Sequence, residues 1–333
     1  MYRLKAEWWD TDAAIPPEGS TTYLGILMSS PRVSVIVLNY NGLKWLEACC
    51  RSLADTQYAN FQVLLVDNGS TDGSVDFVRT RFPSIDVIVN ETNLGYSAGN
   101  NIGIKAALAA GADYVVLVNP DTRVEPDWLG ELVSVGESEE KVGILGAVQL
   151  VYESNQLNSW TRTAFPDLTE RLMAPETDLC WIPVDWVEGA CLAAKRRVFD
   201  EVGFLDPIYF AFYEEIDFCR RAARRGWKIA LVVRSRIHHH RGGVWESSPQ
   251  LKRKRDYTCD RSQFIYTLTE PRRTLTGNLG WYLITLGTKA KAALKSTSSI
   301  SVWDLLRMQV DVLRSFGAVR EKWRRDRAMT MSR

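Results

Sequence analysis

Three features of the sequence predict an α/β fold whose parallel sheet is covered by helices on both faces. Short apolar runs alternate with helical patterns between residues 33 and 118. Turns rich in Asn, Asp and Gly follow several of those runs. The chain is 46% hydrophobic over 333 residues, enough to bury a large core. Parallel strands need a crossover, usually a helix, to bring the chain back, and helices then cover both sheet faces, so the alternation implies βαβ units.

In order, the apolar run 33–38 is the first strand, followed by a helical pattern at 43–53. The run 61–66 is the second strand and 75–81 the next helix. A short strand at 87–89, a helix from about 98 to 110 and a strand at 114–118 complete the regular part. Residues 150–185, with Trp160, Pro166, Pro175 and Pro183 among mixed polar residues, read as loops or an insertion. A helix is predicted at 214–225, stopped by Gly226, and a strand at 228–233 leads into three consecutive histidines.

Residues 1–30 contain Pro16-Pro17, Gly19 and a Ser/Thr cluster, and read as a dispensable, irregular extension; Met28 lies just ahead of the first strand. Beyond 270 the character changes to a helical, basic tail, 271–333. There Val302, Leu305, Leu306, Val310, Leu313 and Phe316 recur at helical spacing, and the last 17 residues carry six basic and two acidic side chains. Such a segment either docks on the domain or lies against an anionic membrane surface.

With 41 basic and 40 acidic residues the net charge is +1, which gives no basic footprint for a nucleic-acid partner. The six cysteines form no CxxC pair, so neither a disulfide framework nor a zinc site is expected and a reducing cytoplasm fits. No signal-peptide pattern and no apolar run of about 20 residues is evident. A cytoplasmic protein is expected, with peripheral contact at the inner membrane as the open alternative.

Ligands of open α/β sheets bind beyond the carboxyl ends of the strands, and chemistry-bearing residues gather there. The first strand ends in Asn39-Tyr40-Asn41-Gly42 and the second in Asp67-Asn68-Gly69-Ser70. Each alone is an ordinary turn. Together they mark one sheet edge, where a buried aspartate suits the imide N–H of a uracil or thymine. The stretch Asn93-Leu94-Gly95-Tyr96, followed by Asn101 and Gly103, opens a helix whose N-terminus favours a diphosphate, yet it is not a GxGxxG dinucleotide fingerprint. Asn119-Pro120-Asp121 follows the fourth strand. One carboxylate plus substrate phosphates suffices for Mg²⁺ or Mn²⁺, although an Asn-Pro-Asp turn is also common as a turn.

Glu214, Glu215 and Asp217 sit beside Phe and Tyr side chains, where a carboxylate pKa rises towards that of a general base; acidic residues at a helix start also suit the dipole. Every histidine lies in His238-His239-His240, and an extended chain puts His238 and His240 on one face, one of them available to complete a metal site with Asp121.

This order of motifs resembles the family 2 glycosyltransferases of the GT-A fold, especially their bacterial rhamnosyltransferase-like branch, over about residues 33–261. The resemblance implies a Rossmann-like GT-A domain at 31–270, its sheet mixed, mainly parallel and flanked by helices, with a donor half (31–125) and an acceptor half (126–270). Asn39, Tyr40, Asn41, Asp67, Asn68, Asn93, Gly95, Tyr96, Asn101 and Asn119 would hold the donor nucleotide, and Asp121 and His240 the metal. The family's Glu-Asp pair reads Glu214-Glu215 here, so Glu215 falls on the base position, with Glu214 as the alternative. Glu188, Gly189 and Asp217 would line the acceptor side. The implied activity is inverting transfer of a sugar, L-rhamnose foremost, from a dTDP- or UDP-sugar to a saccharide or lipid-linked acceptor. A catalytically silent nucleotide-sugar-binding protein and a sugar-nucleotide pyrophosphorylase are the rival readings.

Overall fold

The computed structural model describes residues 30–174, 179–246, 248–295 and 299–331, so the extension at 1–29 lies outside the described residues. The elements run β1 (Val33–Asn39), α1 (Leu43–Ala54), β2 (Phe61–Asp67), α2 (Ser74–Arg81), β3 (Asp86–Val89), α3 (Gly95–Ala109) and β4 (Tyr114–Val118). Next come β5 (Thr122–Val124), α4 (Trp128–Ser138), β6 (Val142–Val151), α5 (Ser159–Ala164), α6 (Thr169–Met173), β7 (Trp181–Pro183), β8 (Cys191–Lys195) and α7 (Arg196–Val202). The chain continues with α8 (Glu214–Arg224), β9 (Lys228–His239), α9 (Pro249–Leu268), α10 (Leu275–Leu294), α11 (Val302–Arg314) and α12 (Phe316–Met331).

The strands form one mixed sheet in the order β3-β2-β1-β4-β8-β6-β9-β5, with β7 also paired to β9. The first four positions are parallel, as the alternation of strand and helix requires. At β4 the order jumps to β8, which runs antiparallel to both β4 and β6, while β6 and β9 are parallel. Val33, Val35 and Val37 of β1 pack with α1 and α4 on one sheet face; Ile36, Val66 and Leu117 pack with α3, α7 and α8 on the other.

Two sequence expectations need correction. The segment 150–185 is more than loop: Leu157, Phe165, Leu172 and Ile182 pack with Val148, Leu150, Leu231 and Val233 into a separate apolar cluster. Its periodicity is hidden because the helices are only one to two turns long, too short for a 3.6-residue pattern to show. The second concerns α3, which begins at Gly95 rather than near 98, because Asn93 Oδ1 and Phe210 O accept the amides of Gly95 and Tyr96. The amides of Gly95 and Tyr96 are thus bonded to protein and are not open to a diphosphate. Gly99 and Gly103 face the sheet instead, where a Cβ would come within 2.7 Å of Leu38 and 2.8 Å of Ile36.

Candidate active site

A cleft of about 650 Å³ opens at the carboxyl ends of β1 to β4 and is closed on its far side by α8, the end of β9 and α9. Tyr40, Asn68, Asn93, Gly95, Tyr96, Asn119, Asp121, Glu188, Gly189, Glu214 and Glu215 all line it. Residues from six segments of the chain thus converge although nearly 180 positions separate the first from the last.

Asn39 and Asp67 stand one layer behind the wall, both fully buried. The Asn39 amide donates to Asp67 Oδ1 (3.0 Å) and to Ser70 Oγ (3.1 Å), and the Ser70 amide donates to Asp67 Oδ2 (2.9 Å). Asn41, at φ +49°, accepts from the Thr71 amide. These bonds tie the two turns together and set the position of Tyr40 at the rim. Asn68 does similar work one strand over, donating to Asn93 Oδ1 and Gly95 O and accepting from Asn90 and Leu94.

Gly95 itself is at φ +84°, and a Cβ there would lie 2.5 Å from Phe210 O. The α3 entry and the loop before α8 therefore touch backbone to backbone. Gly95→Ala is expected to lower stability by more than about 1 kcal/mol, since it adds both an unfavourable φ and a backbone clash; a thermal melt indistinguishable from wild type would refute that contact.

Asn101 does not reach the cleft. Its side chain donates to Leu205 O and accepts from Leu205 N, and Ser97 one turn earlier donates to Tyr209 O. Positions four apart share a helix face, and this face is turned to the 205–209 loop, so Asn101 braces that loop instead of meeting a nucleotide.

The chain enters α8 through Phe212 (φ +66°) and Tyr213 (φ +71°), two successive non-glycine residues in the left-handed region. Each such residue costs on the order of 1–3 kcal/mol, and the result is that the first turn of α8 points both glutamates into the cleft. Glu214 Oε2 and Glu215 Oε2 are buried and have no hydrogen-bond partner among the described residues. Burial pushes the Glu215 carboxyl up to about 7, with the negative Glu188 adding to the rise. Burial, then the charge of Glu215, raises Glu214 further. A protonated Glu214 beside a titrating Glu215 is the arrangement these environments favour.

Asp217 was expected on the acceptor side and is placed elsewhere. Two residues beyond Glu215 a helix has turned about 200°, and Asp217 is fully buried behind α8, bonded to Arg220 (2.9 Å), Arg221 (2.8 Å) and Lys322 of α12 (2.9 Å). Those three cations hold its carboxyl well below the usual range despite burial.

The histidine expectation also changes. β9 extends through His239, and beyond an irregularity between Val232 and Arg236 its side chains alternate to the end of the strand. His238 Nε2 meets Glu125 Oε1 at 2.6 Å, and the His240 ring packs on Trp45 with centroids 4.2 Å apart. It is His239 whose Nε2 lies 3.3 Å from Asp121 Oδ1, because Thr122 pairs with His239 across β5 and β9. His239 Nδ1 is 3.1 Å from Gln149 Oε1; in the tautomer with its proton on Nδ1, Nε2 presents a lone pair beside Asp121. A Cβ on Gly243 would be 2.9 Å from Asp121 Oδ2, so this loop closes on the carboxylate only as glycine. No group of three or more His, Cys, Asp or Glu converges as a metal cage among the described residues. One carboxylate and one imidazole fit a hard divalent ion that takes its other ligands from phosphate and water.

Glu188 accepts from Asn158 (2.7 Å) and pairs with Arg241 (3.0 Å), and Gly189 O accepts from the Tyr96 hydroxyl (2.7 Å). Sequence reasoning missed Trp45, Trp186, Arg241, Trp245, Lys254 and Arg255, all on the cleft wall. The signal for the last two was present as the run Lys252-Arg253-Lys254-Arg255, since a site for a diphosphate calls for cations.

Residues 34–203 match the family model described as Glycosyl transferase family 2. The chain is 29% identical over 239 residues to an N-acetylglucosaminyl-diphospho-decaprenol L-rhamnosyltransferase of Mycobacterium tuberculosis, covering 62% of this chain and 75% of that one. It is 28% identical over 201 residues to a low-salt glycan biosynthesis hexosyltransferase of Haloferax volcanii, covering 59% and 63%. Among solved structures it resembles a mannosyltransferase from Pyrobaculum calidifontis in complex with GDP-Man and Mn²⁺, with a TM-score of 0.58 at 15% identity over 91% of this chain and 86% of that one. It also resembles GalNAc-T7 with UDP, GalNAc and Mn²⁺, with a TM-score of 0.52 at 15% identity over 71% and 51%. With a catalytic-type cleft at the strand ends and a family match over half its length, the chain belongs to glycosyl transferase family 2 and is a glycosyltransferase of GT-A fold.

Proposed function

We propose that this glycosyltransferase moves L-rhamnose, with inversion, from a dTDP- or UDP-sugar to a hydroxyl of a cell-envelope polysaccharide or lipid-linked saccharide. The observation that carries the mechanism is the pair of buried, unpartnered carboxyl oxygens of Glu214 and Glu215 at the cleft floor. The choice of sugar and acceptor rests on the relative from M. tuberculosis.

Glu215 removes the proton from the acceptor hydroxyl while its oxygen bonds to the anomeric carbon. The bond from that carbon to the diphosphate breaks on the opposite face, and its electron pair leaves with the diphosphate. Glu214 stays protonated beside it, sparing Glu215 a second full negative charge. Tyr40, Asn68 and Asn93 border the nucleotide end, with the Asn39–Asp67 lattice fixing their positions. Asp121 and His239 would hold Mg²⁺ or Mn²⁺, which when bound neutralises charge on the departing diphosphate. Both solved neighbours carry Mn²⁺, in keeping with that reading. Lys254 adds positive charge at the same cleft, where Arg241 and Arg255 stand in ion pairs with Glu188 and Glu246. All six cysteines are free thiols, which suits a cytoplasmic setting at the inner face of the membrane.

The test is donor-dependent thermal stabilisation, screening dTDP-, UDP- and GDP-sugars with and without Mn²⁺ or Mg²⁺. A donor at 100 times its Kd stabilises by about 2.7 kcal/mol. A metal-dependent shift with dTDP-rhamnose or a UDP-sugar, lost in Asp121→Ala, is expected; a shift confined to GDP-sugars, or one the substitution leaves intact, would overturn the donor or the metal assignment respectively.

A further inference from the structure

We propose that the outer faces of α10 and α11 form a docking surface for an anionic lipid bilayer. Eleven of the fifteen large apolar side chains exposed among the described residues lie between Leu279 and Phe316. Helix α11 is apolar on two opposite sides. Leu305, Met308 and Val312 face inward and pack in the C-terminal core. Trp303 (79% exposed), Leu306 (53%), Val310 (45%) and Leu313 (67%) fall within about 80° of one another on the other side, at 100° per residue. Arg307 and Arg314, both exposed, flank that stripe. Contiguous exposed apolar surface of this kind marks an interaction site.

Charge selects the occupant. Residues 271–333 carry 13 Lys and Arg against four Asp and Glu, whereas residues 1–270 carry 28 against 36; Lys322 and Lys289 are taken up by buried or partly buried aspartates, and Arg307 and Arg314 are among the exposed cations that remain. A self-paired dimer through this face would set the basic segment against itself. An anionic bilayer complements it, with Trp and Leu entering the headgroup boundary and Lys and Arg meeting phosphates. No described helix is long and apolar enough to cross a membrane, so contact lies in the interface plane.

Helix α11 is tied to the helix that lines the cleft. Lys254 and Arg255 of α9 line the cleft, and the neighbouring Arg253 binds Asp304 and Ser301 at the start of α11. The proposal rests on the reading of a membrane-borne acceptor only for its setting, because vesicle binding belongs to the surface itself.

Co-sedimentation of the full chain with phosphatidylglycerol-containing vesicles and with pure phosphatidylcholine vesicles tests it. Wild type is expected to pellet with the former and to lose at least about ten-fold in partitioning on phosphatidylcholine. The double change Trp303→Ser, Leu306→Ser should lose a similar factor on phosphatidylglycerol, with its thermal melt and donor-induced shift unchanged. A control change at an exposed apolar residue elsewhere, Val89→Ser, should bind as wild type does. Wild type remaining in the supernatant, equal pelleting of the double variant, or a dimer that the double change dissolves without any vesicle binding would each overturn the proposal. Loss of the donor shift with vesicle binding intact would instead count against the donor site alone.

Discussion

Replacing Glu215 with Gln is expected to lower kcat by about 10²- to 10⁴-fold, the usual cost of losing a positioned general base. Donor affinity, read from the thermal shift, should stay near wild type, because Glu215 acts on the acceptor hydroxyl. Wild-type kcat should rise with pH and level off above about 7, since the carboxylate form is the base and burial holds its pKa at about 7. Glu188→Gln removes a neighbouring negative charge that contributes to that rise, so its limb should move to lower pH. A Glu215→Gln enzyme retaining more than about a tenth of wild-type kcat would pass the role to Glu214.

Lys322→Met is expected to destabilise the protein by about 3–5 kcal/mol, although the residue lies more than 100 positions from the glutamates. Lys322 is 2% exposed and contacts Asp206, Asp217 and Asp326. Removing one partner of a buried ionic cluster leaves the rest uncompensated, which is why the loss exceeds that of a surface pair. Asp206 and Asp217 both have folded pKa values held below their unfolded ones. Their stabilisation is therefore present above about pH 4 and is lost as pH falls below it. Asp217→Asn should flatten that acid limb and also lower stability at neutral pH. Denaturant melts of the full chain decide this; a Lys322→Met midpoint equal to wild type would mean that α12 does not hold the back of α8.

The strands β1 to β4 and helices α1 to α3 were legible in the sequence because buried parallel strands and their crossover helices write strong, local hydrophobic patterns. The sheet-edge positions of Tyr40, Asn68, Asn93 and Asp121 were legible for the same reason, since ligand loops follow strand ends. The two glutamates could also be read locally, as carboxylates opening a helix behind an aromatic run.

Only the tertiary structure decided what each of these groups meets. Asp217 shares a helix turn with Glu215 yet faces the other way, and its partner Lys322 comes from the far end of the chain. His239 rather than His240 faces Asp121 because the last residues of β9 pair with β5, Thr122 opposite His239. Asn101 turned to Leu205 because one face of α3 packs on a loop about 100 residues away. Residue types and local periodicity determined the fold class, the edge that carries the site and the carboxylates available there. Which side chains face one another depends on register, helix phase and contacts between distant segments, and single-sequence spacing does not encode those distances.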